Sequence, residues 1–199
     1  MTHLKFFFTA FLVLWLAFPI PAEVQSQRLL KASQDDGTRR GFYYNCGFGY
    51  AVNIPRGFVG RGDPDGQPQH GVEISLSEQP ESYVWVDASY NAAGWRTLED
   101  AAKSYRNALN DRAKDISIVE RQITRLGRLR ALRLTLSYRE GSAENRVIEE
   151  MILARRRSKG EAEIIYKIGL KTPQTTYSRS RRMLENLLRT WQLKPLPCA

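Results

Sequence analysis

Few side chains in this sequence are suited to metal binding or acid–base chemistry, and most of them lie in one loop. After the N-terminal segment the only histidine is His70, which follows Asp63-Pro64-Asp65-Gly66. Imidazole and carboxylate groups are metal ligands, so Asp63, Asp65 and His70 are the candidate binding residues. Aspartate, proline and glycine also favour turns, and His70 alone could hydrogen-bond the next strand. We therefore predict no metal and no cofactor.

Cys46 and Cys198 are the only two cysteines, and two fates are open to them. Cys46 could act as a nucleophile with His70 as its base, but this needs a free thiol. In an oxidising compartment two thiols of one domain usually pair, and a Cys46–Cys198 bond would close a loop of roughly 150 residues. Such a bond would stabilise the fold by about 4 kcal/mol. We expect the disulfide, and the alternative is two unpaired cysteines.

Motifs for other common catalytic sites are absent. The sequence has no G-x-S-x-G nucleophile elbow, no phosphate-binding G-x-x-x-x-G-K-[ST] loop and no H-E-x-x-H pair. Glu149 and Glu150 are adjacent on a predicted strand, so they face opposite sides and cannot act as a close acid–base pair. We predict no catalytic residues and a non-catalytic accessory or binding protein. The alternative in the enzyme class is a secreted hydrolase centred on His70.

Residues 1–26 have the pattern of a cleaved signal peptide. Positions 6–18 are apolar except for Thr9, and Pro19 and Pro21 follow. Thirteen helical residues span roughly 20 Å, which is short of the roughly 30 Å core of a bilayer. Small residues after the prolines suit a signal-peptidase site, and the mature chain would begin near Gln27. The sequence thus predicts a secreted or periplasmic protein.

The chain is basic, with 30 Lys and Arg against 21 Asp and Glu and a formal net charge of +9. Such an excess favours anionic partners, among them anionic polymers and membrane surfaces. The arginines are scattered, however, which is typical of a basic solvated surface. They occur at Arg121, Arg125, Arg128, Arg130, Arg133 and Arg139, at Arg155-Arg156-Arg157, and at Arg179, Arg181, Arg182 and Arg189.

No basic motif interleaved with aromatic residues is present, and export argues against an intracellular nucleic-acid partner. The expected partner is a protein or an anionic ligand. Peripheral association with the membrane or the cell envelope is a further alternative, in which the arginine-rich sheet face would bind anionic polymers or membrane surfaces.

Hydrophobic periodicity predicts the elements that would position these residues. Alternation of apolar and polar residues predicts strands at 42–54 (as a hairpin), 72–76, 83–90, 116–126, 130–138, 146–154 and 162–170. Apolar residues at helical spacing follow Thr97, where Thr97 and Asp100 resemble a capping box. A second helix is predicted from Thr172-Pro173 to about Trp191. Residues 55–71, rich in glycine and proline, are predicted to form a surface loop.

The order of hairpin, strand pair, helix, antiparallel meander and helix predicts one α+β domain. Hydrophobic residues make up 42% and charged residues 26% of the 199 positions, as in a soluble globular protein. We expect an antiparallel sheet flanked by helices, spanning 41–199, after a flexible segment at 27–40. On the strand at 130–138, Leu132, Leu134, Leu136 and Tyr138 should face the core.

Several local sequences resemble the PsbP/Mog-like α/β/α sandwich superfamily. They are Tyr44-Asn45 with Gly49-Tyr50-Ala51-Val52-Asn53-Ile54-Pro55, Trp95-Arg96-Thr97-Leu98-Glu99, and the C-terminal helix ending in Trp191. The resemblance covers roughly residues 40–193. It implies the α/β/α sandwich fold and an accessory or binding role, as in exported bacterial members, the extrinsic PsbP protein of photosystem II and a Ran-binding protein. No Ran-binding or manganese-related residue matches, so none is transferred.

Overall fold

The computed structural model describes residues 37–62, 70–141, 145–157 and 162–194, and two antiparallel sheets run through them. The larger sheet has eight strands within this part of the chain. In spatial order they are β1 (Thr38–Arg39), β4 (Gly60–Arg61), β5 (Gly71–Glu78), β6 (Glu81–Tyr90), β10 (Ile164–Pro173), β9 (Arg146–Arg156), β8 (Leu129–Glu140) and β7 (Ala113–Leu126).

The smaller sheet pairs strands from the N-terminal part of the domain with a strand from its C-terminal part. Its order is β11 (Gln192–Leu193), β3 (Tyr50–Asn53) and β2 (Phe42–Asn45). The β2–β3 pair is the hairpin predicted from the sequence. The Lys194 N–H donates to the Gly49 carbonyl over 2.8 Å, which extends the β11–β3 pairing by one residue.

Helix α1 (Leu98–Leu109) begins as its sequence predicts. The Asp100 N–H donates to Thr97 Oγ1 over 3.0 Å, and the Thr97 N–H donates to Asp100 Oδ2 over 2.9 Å. This reciprocal capping box satisfies two backbone donors that would otherwise lack partners at the helix start. Ala101, Ala102 and Leu109 form its buried face.

Helix α2 (Tyr177–Thr190) begins later than predicted. The prediction of a helix start at Thr172-Pro173 was wrong, because both residues still belong to β10 and pair with Ile148 and Val147. A short 3₁₀ turn, Gln174–Thr176, separates β10 from α2. A residue that precedes proline disfavours helical backbone angles, which keeps Thr172 extended.

The large sheet lies between the two helices. One face packs on α1 through Leu132, Leu134, Leu136, Tyr138 and their neighbours on β9, as predicted for β8. The other face packs on α2 and the small sheet, around Tyr50, Tyr166, Leu184, Leu187 and Trp191. This confirms the predicted antiparallel sheet flanked by helices.

Strand connections gather at two opposite ends of the large sheet. The β7–β8 turn, the end of β9 and the start of β10 meet at one end, which we call the arginine end. The β5–β6 turn, the end of β10 and the start of α2 meet at the other, which we call the cleft end.

The described residues all belong to one compact unit, 36–199. Thr38 and Arg39, within the segment predicted to be flexible, form β1. The predicted signal peptide, residues 1–26, and the rest of the segment up to residue 36 lie outside the described residues. In the described part of the chain, neither helix has the length and apolar character needed to cross a membrane.

Candidate anion-binding site

His70 lies at the start of β5, where its backbone and its ring both bond to β6. The Ala88 N–H donates to the His70 carbonyl over 3.0 Å, and His70 Nδ1 lies 3.0 Å from the Ala88 carbonyl oxygen. Because a carbonyl oxygen only accepts, Nδ1 carries the proton in this contact. The ring also stacks on Phe48, with centroids 5.4 Å apart. His70 therefore hydrogen-bonds at the start of the strand, and only Nε2 is left for other chemistry.

Of the other residues predicted to act with His70 or to form the disulfide, only Cys46 lies within the described residues. Asp63, Asp65 and Cys198 lie outside the described residues, and Cys46 is exposed in the β2–β3 turn. Within the described ranges, no three His, Cys, Asp or Glu side chains are grouped as metal ligands would be. The loop site, the Cys46–His70 pair and the disulfide stay predictions.

Glu149 and Glu150 face opposite sides of β9, as predicted, and both are buried. Glu149 lies on the α1 side, where Tyr138 donates to its Oε2 over 2.7 Å and Tyr105 donates to its Oε1. Burial and the adjacent Glu149 carboxylate raise the pKa values of Tyr105 and Tyr138 well above the ordinary value for tyrosine. Two phenols thus hold this carboxylate, which is 3% exposed.

Glu150, which is 0% exposed, lies on the α2 side between two arginines. Its Oε1 is 3.4 Å from Arg133 Nε, its Oε2 is 3.3 Å from Arg181 Nε, and Tyr177 donates to Oε2 over 2.6 Å. Arg133 also pairs with Glu185 at 2.9 Å. Arg133 is thus an exception to the predicted solvated basic surface, because it forms part of a buried charge cluster.

Arginines from three adjacent strands line up at the arginine end. Arg125 pairs directly with Arg130 across the β7–β8 hairpin. Arg155 follows Ala154, which pairs with Ala131, so Arg155 lies beside Arg130. We call Arg125, Arg130 and Arg155 the arginine row. Because neighbouring strands lie about 5 Å apart, the three arginine side chains leave the backbone at about that spacing.

The row faces the α1 side and borders a shallow cavity. Arg96, Arg130 and Arg155 line this cavity of about 400 Å³ with Ile123, Thr97, Leu98 and Glu99. Glu99 pairs with Arg121 at 3.7 Å. Arg155 pairs with Glu163 at 3.4 Å and donates to the Arg96 carbonyl. Within the described residues no carboxylate lies within 4.0 Å of the charged groups of Arg96, Arg125 or Arg130.

Two further basic positions extend this surface. Arg128 lies in the β7–β8 turn, and Arg157 follows the end of β9. The sequence identified these arginines separately but not their alignment. A two-residue turn at Gly127-Arg128, where Gly127 has φ +53°, fixes the register that sets Arg125 opposite Arg130. This turn is the sequence feature from which the alignment of Arg125 with Arg130 could have been predicted.

Comparison with known proteins gives likenesses in structure alone. No protein-family model matches the chain, and no curated protein matches it significantly in sequence. Among solved structures, LpqN of Mycobacterium tuberculosis, described as involved in cell envelope biogenesis, superposes with a TM-score of 0.53 at 12% identity. The match covers 81% of this chain and 94% of LpqN.

Two other structures match to a similar degree. The cyanobacterial PsbP protein of Synechocystis, CyanoP, gives a TM-score of 0.52 at 12% identity, covering 81% of this chain and 95% of CyanoP. The Saccharomyces cerevisiae Ran-binding protein Mog1p gives 0.50 at 10% identity, covering 78% and 96%. These identities establish a common fold and nothing about a shared ligand. The chain therefore has the PsbP/Mog1 fold, as its hairpin and helix sequences predicted.

Proposed function

We propose that this chain is an exported, non-catalytic accessory protein that binds a polyanion through the arginine row. The observation that carries the proposal is the direct pairing of Arg125 with Arg130, with Arg155 on the next strand. Arginine presents a planar fork of donors that suits phosphate, sulfate and carboxylate groups. A row of such forks at strand spacing suits a ligand that carries repeated negative charges.

The row has an energetic cost in the free protein. Like charges directly opposite each other on neighbouring strands are destabilising, and a polyanion would remove that repulsion on binding. Only Arg155 has a carboxylate partner in the described structure, Glu163. Arg125 and Arg130 thus keep their donors available to a ligand.

A binding role also agrees with the state of the buried acids. Glu149 is held by two tyrosines, and Glu150 by two arginines and one tyrosine, so neither carboxylate is placed to act as an acid or base on a substrate. His70 donates from Nδ1 to a backbone carbonyl. The groups best suited to proton transfer among the described residues therefore stabilise the fold.

The compartment follows from the predicted signal peptide at residues 1–26, which would direct the chain to the periplasm or the exterior. The structural neighbours agree with an accessory role, since LpqN is described as involved in cell envelope biogenesis and Mog1p as Ran-binding. We infer that a negatively charged component of the cell envelope is the polyanion.

Immobilised heparin, a sulfated polysaccharide, is a suitable probe. The mature protein should be retained and should elute as sodium chloride screens the contacts. The variant Arg125→Gln, Arg130→Gln should elute at clearly lower salt. The control variant Arg56→Gln, Arg106→Gln removes the same charge from exposed positions outside the row. It should elute close to the wild type.

Two results would overturn the proposal. One is equal elution of the row variant and the control variant, which would leave net charge as the only cause of retention. The other is retention on vesicles of anionic phospholipid but not on heparin, which would make a membrane surface the partner instead of a polymer.

A further inference from the structure

A second candidate site lies at the cleft end, away from the arginine row. A cleft of about 630 Å³ separates the β5–β6 turn from the first half of α2, and this volume is in the range of small-molecule sites. Its walls combine apolar side chains, hydroxyl groups and two arginines. No acidic side chain is among the described residues that line it.

The two arginines of the cleft differ in ion pairing from Arg181, which lies between them in sequence. Arg179 and Arg182 are three positions apart on α2, so they share a face of the helix, and both line the cleft. In the described residues no carboxylate lies within 4.0 Å of either guanidinium. Arg181 instead pairs with Glu150 and Glu185. The helix therefore directs two uncompensated positive charges to the cleft.

Two acidic residues flank the β5–β6 turn, Glu78 and Glu81, and neither lines the cleft. Among the described residues Glu78 has no ion pair within 4.0 Å, whereas Glu81 is paired. Lys171 Nζ lies 3.3 Å from Glu81 Oε2 and 2.9 Å from Glu140 Oε1. The first turn of α2 carries no acidic residue, and its N-cap, Thr176, makes no side-chain capping hydrogen bond. The positive end of the helix dipole thus adds to the field of Arg179 and Arg182.

Buried hydroxyl groups form the floor of the cleft. Ser82 donates to Thr172 over 2.9 Å, Thr172 donates to Ser180 over 3.2 Å, and Ser180 lies 3.3 Å from Ser82. Thr172 Oγ1 also lies 2.8 Å from Thr176 Oγ1, so the Thr172 proton has two hydroxyl acceptors. The Ser180 proton can turn either to these hydroxyls or into the cleft. Ser82 and Ser180 both line the cleft and are buried.

Apolar side chains form the remaining wall. Phe58, Leu76, Pro80 and Met183 line the cleft and are positioned to bury hydrocarbon. Two guanidinium forks and a serine hydroxyl offer more donors than the two oxygens of one carboxylate can accept, whereas a phosphate has enough oxygens for them.

We propose that the cleft between the β5–β6 turn and α2 binds a phosphate-bearing amphiphile. Arg179 and Arg182 bind the phosphate, Ser180 donates a hydrogen bond to it, and the hydrocarbon lies against Met183, Leu76 and Phe58. This site is independent of the arginine row, because it lies at the opposite end of the sheet and uses other residues.

Isothermal titration calorimetry with the mature protein tests the site with three probes. Dihexanoyl phosphatidic acid, used below its micelle-forming concentration, carries both parts of the ligand. Inorganic phosphate carries only the charge, and dihexanoyl phosphatidylcholine has the same chains with no net charge. We expect the phosphatidic acid to bind at least tenfold more tightly than either of the other probes.

Two variants assign the two parts of the ligand to the two walls. Arg179→Gln, Arg182→Gln changes only exposed side chains and should weaken phosphatidic acid binding at least tenfold. Met183→Ser should weaken phosphatidic acid binding and leave phosphate binding unchanged. The row variant Arg125→Gln, Arg130→Gln is the matched control, and it should bind phosphatidic acid like the wild type.

Several outcomes would overturn the inference of an amphiphile site and leave the proposed polyanion binding unaffected. They are no binding of phosphatidic acid, undiminished binding by the Arg179→Gln, Arg182→Gln variant, and equal affinity for inorganic phosphate and phosphatidic acid. Loss of phosphatidic acid binding in the row variant would also count against it, because the ligand would then occupy the arginine row.

Discussion

Arg125 lies directly opposite Arg130 in the β7–β8 hairpin, and no carboxylate in the described part of the chain lies within 4.0 Å of either side chain. The hairpin has a tight turn that fixes this register, so the two charges cannot separate by sliding. A two-residue turn at Gly127-Arg128 joins Leu126 to Leu129, which pair with each other. The strands thus keep two exposed, like-charged side chains at directly opposite positions.

Arg130→Gln should therefore raise stability while it weakens binding of a polyanion. Removing a like-charge cross-strand pair is expected to stabilise the domain by about 0.2–1 kcal/mol. Urea unfolding at low salt measures this change, and heparin elution measures the loss of binding. Arg56→Gln, at an exposed position outside the helices and strands, is the control and should leave both values near the wild type.

The double variant Arg125→Gln, Arg130→Gln completes a double-mutant cycle. Since either single substitution removes the same repulsion, the stability gains should not add. Additive gains, or a loss of stability in Arg130→Gln, would contradict a repulsive pair.

Removing the charge of Glu150 should strongly destabilise the domain, because its arginine partners would be left in a buried site. Glu150→Gln keeps the shape of the side chain but leaves Arg133, which is 14% exposed, and Arg181 without their buried counter-charge. Breaking a buried pair in this way typically costs about 3–5 kcal/mol. Chemical denaturation monitored by tryptophan fluorescence measures the loss.

Glu120→Gln is the matched control for the buried cluster. Glu120 pairs with the same Arg181 at 3.8 Å, but both side chains are about one third exposed. Exposed pairs contribute about 0–1 kcal/mol, so this variant should lose much less stability than Glu150→Gln. Similar losses in both variants would show that burial of Glu150 does not decide its contribution.

The sequence predicted the parts of this fold that depend on local periodicity. Alternation on β8 identified which face carries Leu132 and Leu134, and the Thr97–Asp100 spacing identified the start of α1. The predicted start of α2 was wrong because Thr172-Pro173 suits the start of a helix as well as the end of a strand. Only the pairing of Pro173 with Val147, a tertiary contact, decides for the strand.

The candidate sites could not be predicted from the sequence, because they depend on tertiary contacts that no local pattern contains. Arg130 and Arg155 lie side by side only because β8 pairs with β9 in a particular register. The cleft hydroxyls of Ser82, Thr172 and Ser180 come from three separate elements. A sequence pattern cannot give such registers, because they depend on how the strands pack as a whole.

Alkaline pH should destabilise the domain through its buried tyrosines. Burial, followed by the charge of Glu149, raises the pKa of Tyr138 above its ordinary value of 10.0. A raised pKa in the folded state gives stability that is fully present below the unfolded pKa and is lost as the pH rises through the folded one. The free energy of unfolding should thus be flat from pH 7 to 9 and fall above about pH 10.

Tyr138→Phe separates this effect from general alkaline damage. The variant should be less stable at pH 7, because it loses the hydrogen bond to Glu149. Above about pH 10 its stability should fall less steeply, by up to about 1.4 kcal/mol per pH unit, because one phenol no longer titrates. Tyr90→Phe, at a position 54% exposed, is the control for removing a phenol. Equal alkaline slopes for wild type and Tyr138→Phe would contradict the prediction.

A Cys46–Cys198 disulfide is the last prediction, and the direction of β11 agrees with it. The Lys194 N–H donates to the Gly49 carbonyl, and the chain runs antiparallel to β3 at this point. Cys46 lies three residues before Gly49, and Cys198 lies four residues after Lys194 and outside the described residues. Residues 46–49 form the turn between β2 and β3, so β11 runs towards the turn that contains Cys46.

Mass spectrometry of the exported protein, alkylated without reductant and then digested, should find a peptide that links Cys46 and Cys198. Cys46→Ala, Cys198→Ala and the double variant should each lose about the same stability, on the order of 2–5 kcal/mol, because each removes the same bond. Two alkylated cysteines, or a loss confined to Cys46→Ala, would contradict the bond. That result would restore the candidate pair of a Cys46 nucleophile and a His70 base. A hydrolase activity that is lost in the His70→Ala variant would then indicate an enzyme, and its absence from the wild type would indicate a binding protein.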